Sequence, residues 1–305
     1  MRNLTLYHYV DAIARAGSIR KAAETLALTP SALNRRVLAL EQELGVPIFE
    51  RLGRGVRLST AGELIIDLFR KQLAEAERVK TQIADLSGLR RGSVSIACSQ
   101  AVLPYFLPRE IHAYQAKHPG VTFQVHVRDG EAAGRALLDY SADIALVFEP
   151  LHSSDFQTIL SVRQPIHTVM ANDHPLGVRE RVRLNECMEF PLALPSAPYA
   201  VRGLLQIAAN RISRRLEPVV EAESYVFLRN FVAQSRAIAF ELQIGVPQEL
   251  GEQGLASVPL DLGNGLEGLL HLAQMRGRTL SVAAARFADQ LVQALSDGER
   301  GLLGP

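Results

Sequence analysis

The chain has 305 residues and a formal net charge of +1, with 33 Lys or Arg side chains against 32 Asp or Glu. Apolar residues make up 48% and charged residues 21%, which excludes a disordered chain. The two cysteines, Cys98 and Cys187, lie in no metal or redox spacing, so we expect no disulfide scaffold, no metal and no cofactor. No apolar run approaches the roughly 20 residues of a membrane helix, and the start of the chain lacks a signal-peptide pattern, so we expect a cytoplasmic protein without a membrane span.

The charges are unevenly distributed along the chain. Residues 1–91 contain 15 Lys or Arg against 10 Asp or Glu, a net charge of +5, and the remainder has 18 against 22, a net charge of −4. A basic head on an acidic body favours a protein that binds a polyanion. Solvated faces of ordinary enzymes reach similar local charges, so the distribution alone does not decide the function.

Three helices are predicted at the start of the chain. The first covers residues 4–16 and ends at Gly17, and Ser18 caps the second. Thr29 and Pro30 start the third, with the threonine at the cap and the proline in the first turn. Two short helices joined by a turn of about three residues, the second with a polar outer face, are typical of a helix-turn-helix.

The third helix has one apolar and one polar face. The apolar stripe consists of Leu33, Val37, Leu40 and Leu44. On the opposite face, Arg35 suits a bidentate contact to guanine and Asn34 a contact to adenine in the major groove, with Ser31 one turn earlier. The alternative is that these side chains are simply solvated.

A hairpin and a long helix follow. Residues 49–59 form a hairpin candidate with arginines at its tip and flanks, and Arg54 suits a narrow minor groove. Thr60 is predicted to cap a helix that runs to about Leu86. Its apolar residues recur every three or four positions, and they are Ile65, Phe69, Leu73, Ala76, Val79, Ile83 and Leu86. This stripe packs either on its own domain or, as we favour, on a second copy of the chain.

Residues 87–92 have the composition of a hinge, and an α/β pattern follows it. The first predicted elements are strands at 93–98, 121–127 and 143–148 and helices at 104–117 and 131–139. A second set comprises strands at 166–171, 190–194, 218–222 and 237–241 and helices at 199–213 and 225–234. The end of the chain, a strand at 267–275 and a helix at 280–295, is expected to return to the first set.

Five segments of the head form one extended pattern: Ser18-Ile19-Arg20-Lys21-Ala22-Ala23-Glu24-Thr25-Leu26, residues 29–37, Leu40-Glu41, residues 44–51 and Leu58-Ser59-Thr60-Ala61-Gly62. In these segments the head resembles the winged helix-turn-helix of LysR-type transcriptional regulators. Further along, Asp143-Ile144-Ala145-Leu146 and His174-Pro175-Leu176 are similar to two recurrent segments of that family. Two departures stand out: Pro30 occupies a position where the family often has Gln, and Asn34 one where it often has Ser.

The resemblance implies the following fold and domains. We expect an α/β protein with an N-terminal winged helix-turn-helix, a long linker helix and a two-lobed α/β effector domain like periplasmic solute-binding proteins. The DNA-binding domain would cover 1–59, with the helix-turn-helix at about 18–37. The dimerisation helix would cover 60–87 and the effector domain 88–305. Within the effector domain, lobe I would comprise about 92–162 and 267–300, and lobe II about 163–266.

Ten residues of the head are candidates for DNA contact. Arg20, Lys21 and Thr29 suit phosphate oxygens because they lie at helix starts. The whole set is Arg20, Lys21, Thr29, Pro30, Ser31, Asn34, Arg35, Arg36, Arg51 and Arg54.

Four residues of the effector domain are candidates for effector binding. Ser99 and Gln100 follow a strand and precede a helix, the turn that lines the effector cleft in the resembling family. Arg202, in the first turn of another helix, would favour an anion or would be a surface arginine. Phe148 would line the cleft or pack in the core. Together they predict a small organic anion as effector.

Other classes of protein fit less well. Ser99 invites a nucleophile interpretation, but the G-x-S-x-G elbow, Walker loop, GxGxxG and H-E-x-x-H patterns are missing, so we expect no enzyme. A transport-associated solute-binding protein is opposed by the basic head and the missing signal peptide. Cys98 would sense oxidants or be an inert buried thiol, the alternative we favour. The expected partners are promoter DNA, a small effector, further copies in a homodimer or homotetramer, and RNA polymerase, with no membrane.

Overall fold

A computed structural model describes residues 2–86, 91–148, 151, 154–197, 199–246, 250–263 and 265–302. The chain divides into two compact units, with the division between Leu89 and Arg90. We call the first unit the head. No helix among the described residues is long and apolar enough to cross a membrane.

The head contains four helices and a hairpin among its described residues. They are α1 (Arg2–Ala16), α2 (Ile19–Thr25), α3 (Pro30–Leu44), β1 (Phe49–Leu52), β2 (Gly55–Leu58) and α4 (Thr60–Leu86). β1 and β2 pair in antiparallel register, with Arg51 opposite Val56. The predicted helices and the hairpin are confirmed.

Local capping explains where these helices begin and end. Gly17 follows α1 with a left-handed φ of 59°. Ser18 Oγ accepts a hydrogen bond from the Lys21 N–H at 3.4 Å, and Thr29 Oγ1 accepts one from the Ala32 N–H at 3.3 Å. Both side chains satisfy N–H groups that have no partner within the helix.

The core of the head includes most of the predicted apolar positions. Its largest fully buried side chains are Ile13, Leu33 and Ile48. Val37 and Leu40 continue the stripe of α3, but the prediction for Leu44 is wrong, because its side chain is 43% exposed. The buried stripe ends at Leu40, so the last turn of α3 lies beyond the core.

The start of α4 is fixed by Ser59 rather than by Thr60. The Ser59 hydroxyl donates to the Pro47 carbonyl at 2.6 Å and accepts from the Gly62 N–H at 2.9 Å. Gly62 is needed here because a Cβ atom would lie 2.0 Å from the Ile48 carbonyl oxygen. The predicted cap was therefore one residue too late.

The apolar stripe of α4 divides into two parts. Phe69 is buried in the head and stacks on Tyr7 with ring centroids 4.0 Å apart. Further along, Val79 is 40% and Ile83 is 57% exposed. The first part of the stripe therefore packs on its own domain, whereas the second part lies on the surface of the single chain.

The second unit alternates strands and helices. In chain order they are β3 (Arg91–Cys98), a 3₁₀ turn (Gln100–Val102), α5 (Phe106–Lys117), β4 (Gly120–Val127), α6 (Gly130–Leu138), β5 (Ile144–Val147), β6 (Phe156–Gln164), β7 (Ile166–Ala171), β8 (Val182–Arg183), α7 (Leu184–Cys187), β9 (Leu192–Pro195), α8 (Ala200–Arg211), β10 (Pro218–Ala222), α9 (Tyr225–Val232), β11 (Ile238–Leu242), a 3₁₀ turn (Gln243–Gly245), a 3₁₀ turn (Gly251–Gln253), β12 (Leu255–Asp261), β13 (Gly268–Met275) and α10 (Val282–Leu302).

The strands form two sheets, one for each lobe. The sheet of lobe I has the order β4-β3-β5-β13-β6, and that of lobe II the order β10-β9-β11-β7-β12-β8. β3 pairs in parallel with β4 and β5, and β13 returns antiparallel between β5 and β6. The chain therefore crosses between the lobes twice, after β6 and after β12.

Several predicted boundaries need correction. β6, β8, β12 and α7 were not predicted, and the helix predicted from Pro104 begins at Phe106. Of the predicted hinge, residues 87–90 lie outside the described residues, while Arg91 and Gly92 belong to β3. The first two residues of β3 therefore lie inside the segment that was expected to be a hinge.

Candidate nucleic-acid interface and effector cleft

The outer face of α3 presents polar side chains to solvent. Ser31 and Arg35 are exposed, and Asn34 is half-buried between them. Thr29 and Pro30 are exposed at the start of the same helix. The amino-terminal half of α3 thus offers donors and acceptors on one side, which is the arrangement that a helix needs to read the major groove.

Two arginines near this face have partners within the head. Arg51 Nη2 donates to Asn34 Oδ1 at 3.0 Å, so the hairpin contacts the second turn of α3. Arg36 Nη1 donates to the Tyr9 hydroxyl at 2.7 Å, and its guanidinium lies 5.1 Å from the centre of the Tyr9 ring. The side chain of Arg36 therefore packs against α1, whereas the side chain of Arg35 is exposed on the outer face of α3.

The hairpin is held against the start of α2. The Val56 N–H donates to the Gly17 carbonyl at 2.9 Å. Gly55 adopts a φ of 98°, and a Cβ atom there would lie 2.4 Å from the Gly17 carbonyl oxygen. Arg54 is exposed in the turn of this hairpin, where it extends the positive charge of the head beyond α3.

The remaining candidates of the head lie on α2. Arg20 forms an exposed ion pair with Glu24, with Nε 3.2 Å from Oε1. Lys21, the next residue in the chain, is also exposed. An exposed pair of this kind contributes little to stability, so Arg20 can exchange its partner for a phosphate at small cost.

Ser99 lies at the end of β3 in lobe I. Its side chain is buried, and its N–H donates to the Leu146 carbonyl at 2.9 Å. The helix predicted to follow Ser99 does not begin at this residue, because the three-residue 3₁₀ turn Gln100–Val102 comes first and α5 starts at Phe106. The helix dipole that would favour an anion at Ser99 is therefore that of one short turn.

Gln100 joins the two lobes. Its Nε2 donates to the Glu223 carbonyl at 2.7 Å, and its Oε1 accepts from the Tyr225 N–H at 2.8 Å. Both ends of the amide are thus engaged by the backbone at the start of α9. Gln100 acts as a clasp between the lobes, and its amide is not directed at a ligand.

A small cavity lies between the lobes beside Ser99. Its volume is about 10 Å³, the space of one water molecule, and it is lined by Ser99, Asp129, Phe148, Tyr199, Ala200, Tyr225 and Leu242. Phe148 packs in the core, where its side chain is 7% exposed, and it also lines this cavity. The structure thus brings Ser99 and Phe148 together at one small cavity.

Asp129 and Tyr225 are cavity residues that the sequence analysis missed. Asp129 follows β4 as Ser99 follows β3, and the ends of adjacent parallel strands meet at one edge of a sheet. That signal was available in the sequence. Burial and the neighbouring Glu241 and Asp129 carboxylates raise the pKa of Tyr225, so its hydroxyl stays protonated.

Arg202 does not line this cavity. Its Nη1 lies 3.5 Å from Glu221 Oε2 on β10, and the side chain is only 17% exposed. Among the described residues, Nη1 is buried and makes no hydrogen bond. The structure therefore separates Arg202 from Ser99 and pairs it electrostatically within lobe II.

A buried ion pair lies near the inter-lobe clasp. Arg229 Nε is 3.3 Å from Glu241 Oε1, and Arg229 Nη1 donates to the Tyr105 hydroxyl of lobe I at 3.1 Å. Burial raises the pKa of Glu241 to about 7, although Arg229 acts in the opposite direction. This pair is a second polar connection between the lobes.

A larger cavity of about 750 Å³ also lies where the lobes meet. Its polar lining includes Arg109, Gln164, His167, Gln243, Gln253 and Ser257. His167 Nδ1 lies 3.0 Å from Ser257 Oγ, and burial lowers the pKa of His167 to about 4. The imidazole is therefore neutral at pH 7. No sequence motif marks this cavity.

The cysteines are buried and unreactive in character. Cys98 and Cys187 are both 0% exposed. Burial raises the pKa of each thiol to about 12, which suppresses the thiolate that reacts with oxidants. The favoured interpretation of Cys98 as an inert thiol agrees with this environment. In the described part of the chain, no three His, Cys, Asp or Glu side chains form a metal site.

Two family models match almost the whole chain. Residues 4–63 match the bacterial regulatory helix-turn-helix protein of the lysR family, and residues 87–296 match the LysR substrate binding domain. The chain is 32% identical to the RuBisCO operon transcriptional regulator of Allochromatium vinosum, over 92% of each protein. It is 24% identical to the HTH-type transcriptional activator CmpR of Synechocystis sp., over 95% of this chain and 96% of the relative.

Solved structures share the fold. A full-length OxyR variant from Pseudomonas aeruginosa has a TM-score of 0.68 and 20% identity, covering 97% of this chain and 94% of its own. Full-length CbnR in complex with its target DNA has a TM-score of 0.63 and 16% identity, covering 95% of this chain and 99% of its own. These relatives are regulators and not enzymes, which agrees with the expectation from the sequence. The chain belongs to the LysR family of bacterial helix-turn-helix transcriptional regulators.

Proposed function

We propose that the head reads a specific promoter sequence in double-stranded DNA with the amino-terminal half of α3. The observation that carries this is the exposed face with Ser31, Asn34 and Arg35, next to the hairpin that presents Arg54. In this arrangement α3 enters the major groove and Arg54 enters the flanking minor groove. Arg20, Lys21 and Thr29 contact phosphates at the start of their helices.

In vitro selection with the full-length protein and random duplexes tests this proposal. Arg35→Ala should cost about 1–3 kcal/mol on the selected site and relax base preference at one position of each half-site. Arg54→Ala should weaken binding more evenly across sequences. Arg215→Ala, an exposed arginine of the second unit, is the control and should change neither. An unchanged site and affinity for Arg35→Ala would refute the assignment of the reading helix.

The proposal also assigns one function to each domain of the chain. DNA binding belongs to 1–59, self-association to the helix of 60–87 and effector binding to 88–305. Val79 and Ile83, both exposed in the single chain, support self-association, because apolar side chains at this spacing form helix–helix seams. RNA polymerase is the further partner of a regulator that activates, and the relative CmpR is named an activator.

Control by a small molecule between the lobes completes the proposal. It is supported by the match of residues 87–296 to a substrate binding domain. Ser99 and Phe148 face the gap between the lobes, which has room for one water molecule and has to widen before an effector can enter. An organic anion is the class of effector that we propose, although Arg202, the cation expected to bind it, is paired with Glu221 and does not line the small cavity. The Asp129 carboxyl at the cavity opposes it, because like charges repel.

Calorimetric titration of the full-length protein with a panel of small organic acids and neutral analogues decides between these classes. Ser99→Ala should weaken either class of ligand, whereas Arg202→Gln should weaken acids alone. Acids that bind the wild type and Arg202→Gln equally would remove Arg202 from the site. Neutral analogues that bind more tightly than the acids would replace the anion with a neutral effector.

A further inference from the structure

The larger cavity has the size of a small-molecule site. Its volume of about 750 Å³ lies within the range of roughly 300–1,000 Å³ that is typical of ligand pockets. Its walls come from α5 and α10 of lobe I and from β7, β12 and the segment after β11 of lobe II. Gln164, the last residue of β6, lies in the wall where the chain first crosses between the lobes. A molecule in this cavity can therefore contact both lobes beside a crossover.

One part of the wall is apolar. Ile244, Val246 and Leu250 follow β11, and all three side chains are half-buried. Leu295 belongs to α10 of lobe I. Each methylene that a ligand buries against such a surface tightens binding about fourfold. The wall therefore favours a ligand that has an apolar body.

The charge of the wall is positive. Arg109 lines the cavity, and no Asp or Glu is found among the described residues of the lining. His167 is neutral at pH 7, because burial lowers its pKa to about 4. Gln164 is only 7% exposed, and its NH₂ group makes no hydrogen bond within the described part of the chain. A cation and an amide donor thus lie in a wall without an opposing carboxylate.

Arg109 is held by its neighbours in lobe I. Its Nε and Nη2 lie 3.1 and 3.0 Å from Glu110 Oε1, and its guanidinium lies 5.7 Å from the centre of the Phe106 ring. Glu110 is held in turn, because Gln290 Nε2 donates to its Oε2 at 2.9 Å. Glu110 occupies one edge of the guanidinium, and Nη1 is available to another acceptor. The Glu110 charge reduces the attraction for an anion, so we expect affinities in the millimolar range.

We infer that the larger cavity is a second small-molecule site, which binds organic acids that have an apolar body. The carboxylate binds Arg109, and the body packs on the apolar residues after β11. This site is separate from the one beside Ser99, because the two cavities share no lining residue. Since both lobes contribute walls, a bound acid favours the arrangement in which these walls are close together.

Titration of the full-length protein with three matched probes, followed through the NMR signals of the probe, tests both halves of the inference. Hexanoate should bind at millimolar concentrations. Butanoate is shorter by two methylenes and should bind about tenfold more weakly. Hexanamide has the same body as hexanoate without the charge, and it should bind about fivefold more weakly, as the loss of an exposed ion pair predicts.

Three variants locate the site. Arg109→Gln should weaken hexanoate about fivefold and leave hexanamide unchanged. Arg135→Gln is the matched control: Arg135 is an exposed arginine of lobe I that pairs with Glu131 at 3.1 Å, outside the cavity, and its loss should change neither probe. Ala294→Phe places a ring in the cavity and should abolish binding of both probes. Thermal melting verifies that each variant is folded.

Four results would overturn the inference. The first is no binding of hexanoate at millimolar concentrations, and the second is equal binding of hexanoate and hexanamide. The third is a folded Arg109→Gln or Ala294→Phe protein that binds hexanoate as the wild type does. The fourth is binding that Ser99→Ala weakens and Ala294→Phe does not, which would place the acid in the first site and leave the proposed function intact.

Discussion

Replacing Gln100 by alanine should loosen the connection between the lobes at one defined place. Tyr225 is the first residue of α9, so its N–H has no partner within the helix. Ser224 Oγ accepts from the Phe227 N–H at 3.2 Å, while Gln100 Oε1 from lobe I accepts from the Tyr225 N–H. The helix is therefore capped partly by its own lobe and partly by the other lobe.

The magnitude follows from the two short bonds that are lost, because the third contact of Gln100, to the Tyr199 hydroxyl at 3.5 Å, lies at the limit of a hydrogen bond. Each contributes about 1 kcal/mol, giving a loss of about 2 kcal/mol. The Glu223 carbonyl is exposed and can regain water, so the larger share comes from the part-buried Tyr225 N–H. A loss of about 2 kcal/mol corresponds to a roughly thirtyfold larger equilibrium constant for local opening at 25 °C, and therefore to roughly thirtyfold faster hydrogen exchange.

Hydrogen exchange of peptides covering 223–228, measured by mass spectrometry, reports this opening directly. The chain contains no tryptophan, so global unfolding is best followed by tyrosine fluorescence or circular dichroism. Gln206→Ala is the control, because among the described residues the side chain of Gln206 bonds within α8, to Asn210 at 3.0 Å. It should change stability by less than about 0.5 kcal/mol. Equal exchange at Tyr225 in wild type and Gln100→Ala would refute the clasp.

Four further predictions concern the linker helix, two buried ionisable groups and one thiol. Glu substitutions at both Val79 and Ile83 should lower the mass of the assembly in sedimentation without unfolding the chain, because both side chains are exposed in the single chain; an unchanged mass would mean that this face is no interface. Burial raises the pKa of Glu241 to about 7 in the folded protein, so the free energy of unfolding should fall by up to about 1.4 kcal/mol per pH unit as the pH rises from 4.5 to 7. Glu241→Gln should abolish this pH dependence in urea titrations. Burial lowers the pKa of His167 to about 4, so between pH 6.5 and pH 4 the unfolded chain binds a proton that the folded protein does not, and the free energy of unfolding falls as the pH drops. His167→Gln removes this loss and should therefore stabilise the protein at pH 5 relative to pH 7. Equal effects at both pH values would contradict this. Iodoacetamide should leave Cys98 unmodified in the folded protein at pH 8 and alkylate it after unfolding, whereas rapid labelling of the native protein would contradict its burial.

The head was predictable because its signals are local. Ser18, Thr29 and Gly17 act within one helical turn of their own position, so caps and stops can be read from neighbouring letters. The one misplaced cap, Thr60, stands next to the correct one, Ser59, and both are good capping residues. They are distinguished by the hydrogen bond that the Ser59 hydroxyl oxygen accepts from the Gly62 N–H.

The missed strands lack the pattern that identifies a strand. β12 contains Pro259, which argues against a strand in the interior of a sheet. β6 is an edge strand that is buried chiefly at its far end, so its apolar residues do not alternate with polar ones as a half-buried strand would. β8 has only two residues.

The inter-lobe contacts depend on distant parts of the chain. Gln100 meets Glu223 and Tyr225 across more than 120 positions of sequence, and no local signal connects them. The place of Gln100 after β3 can be read from the sequence, but its partners in the other lobe decide what it does. Arg202 was chosen by the same reasoning, and its pairing with Glu221 depends on how α8 lies beside β10.

The order of strands in lobe I affects how the chain folds during synthesis. β13, at Gly268–Met275, is the strand through which β6 joins β5 in that sheet. The head and the whole of lobe II, from Ile166 to Asp261, leave the ribosome before β13 does. Lobe I is started second and finished last, so a nascent chain interrupted before residue 275 carries open strand edges that invite aggregation. Translation must therefore run almost to the end before the protein is protected from misassembly.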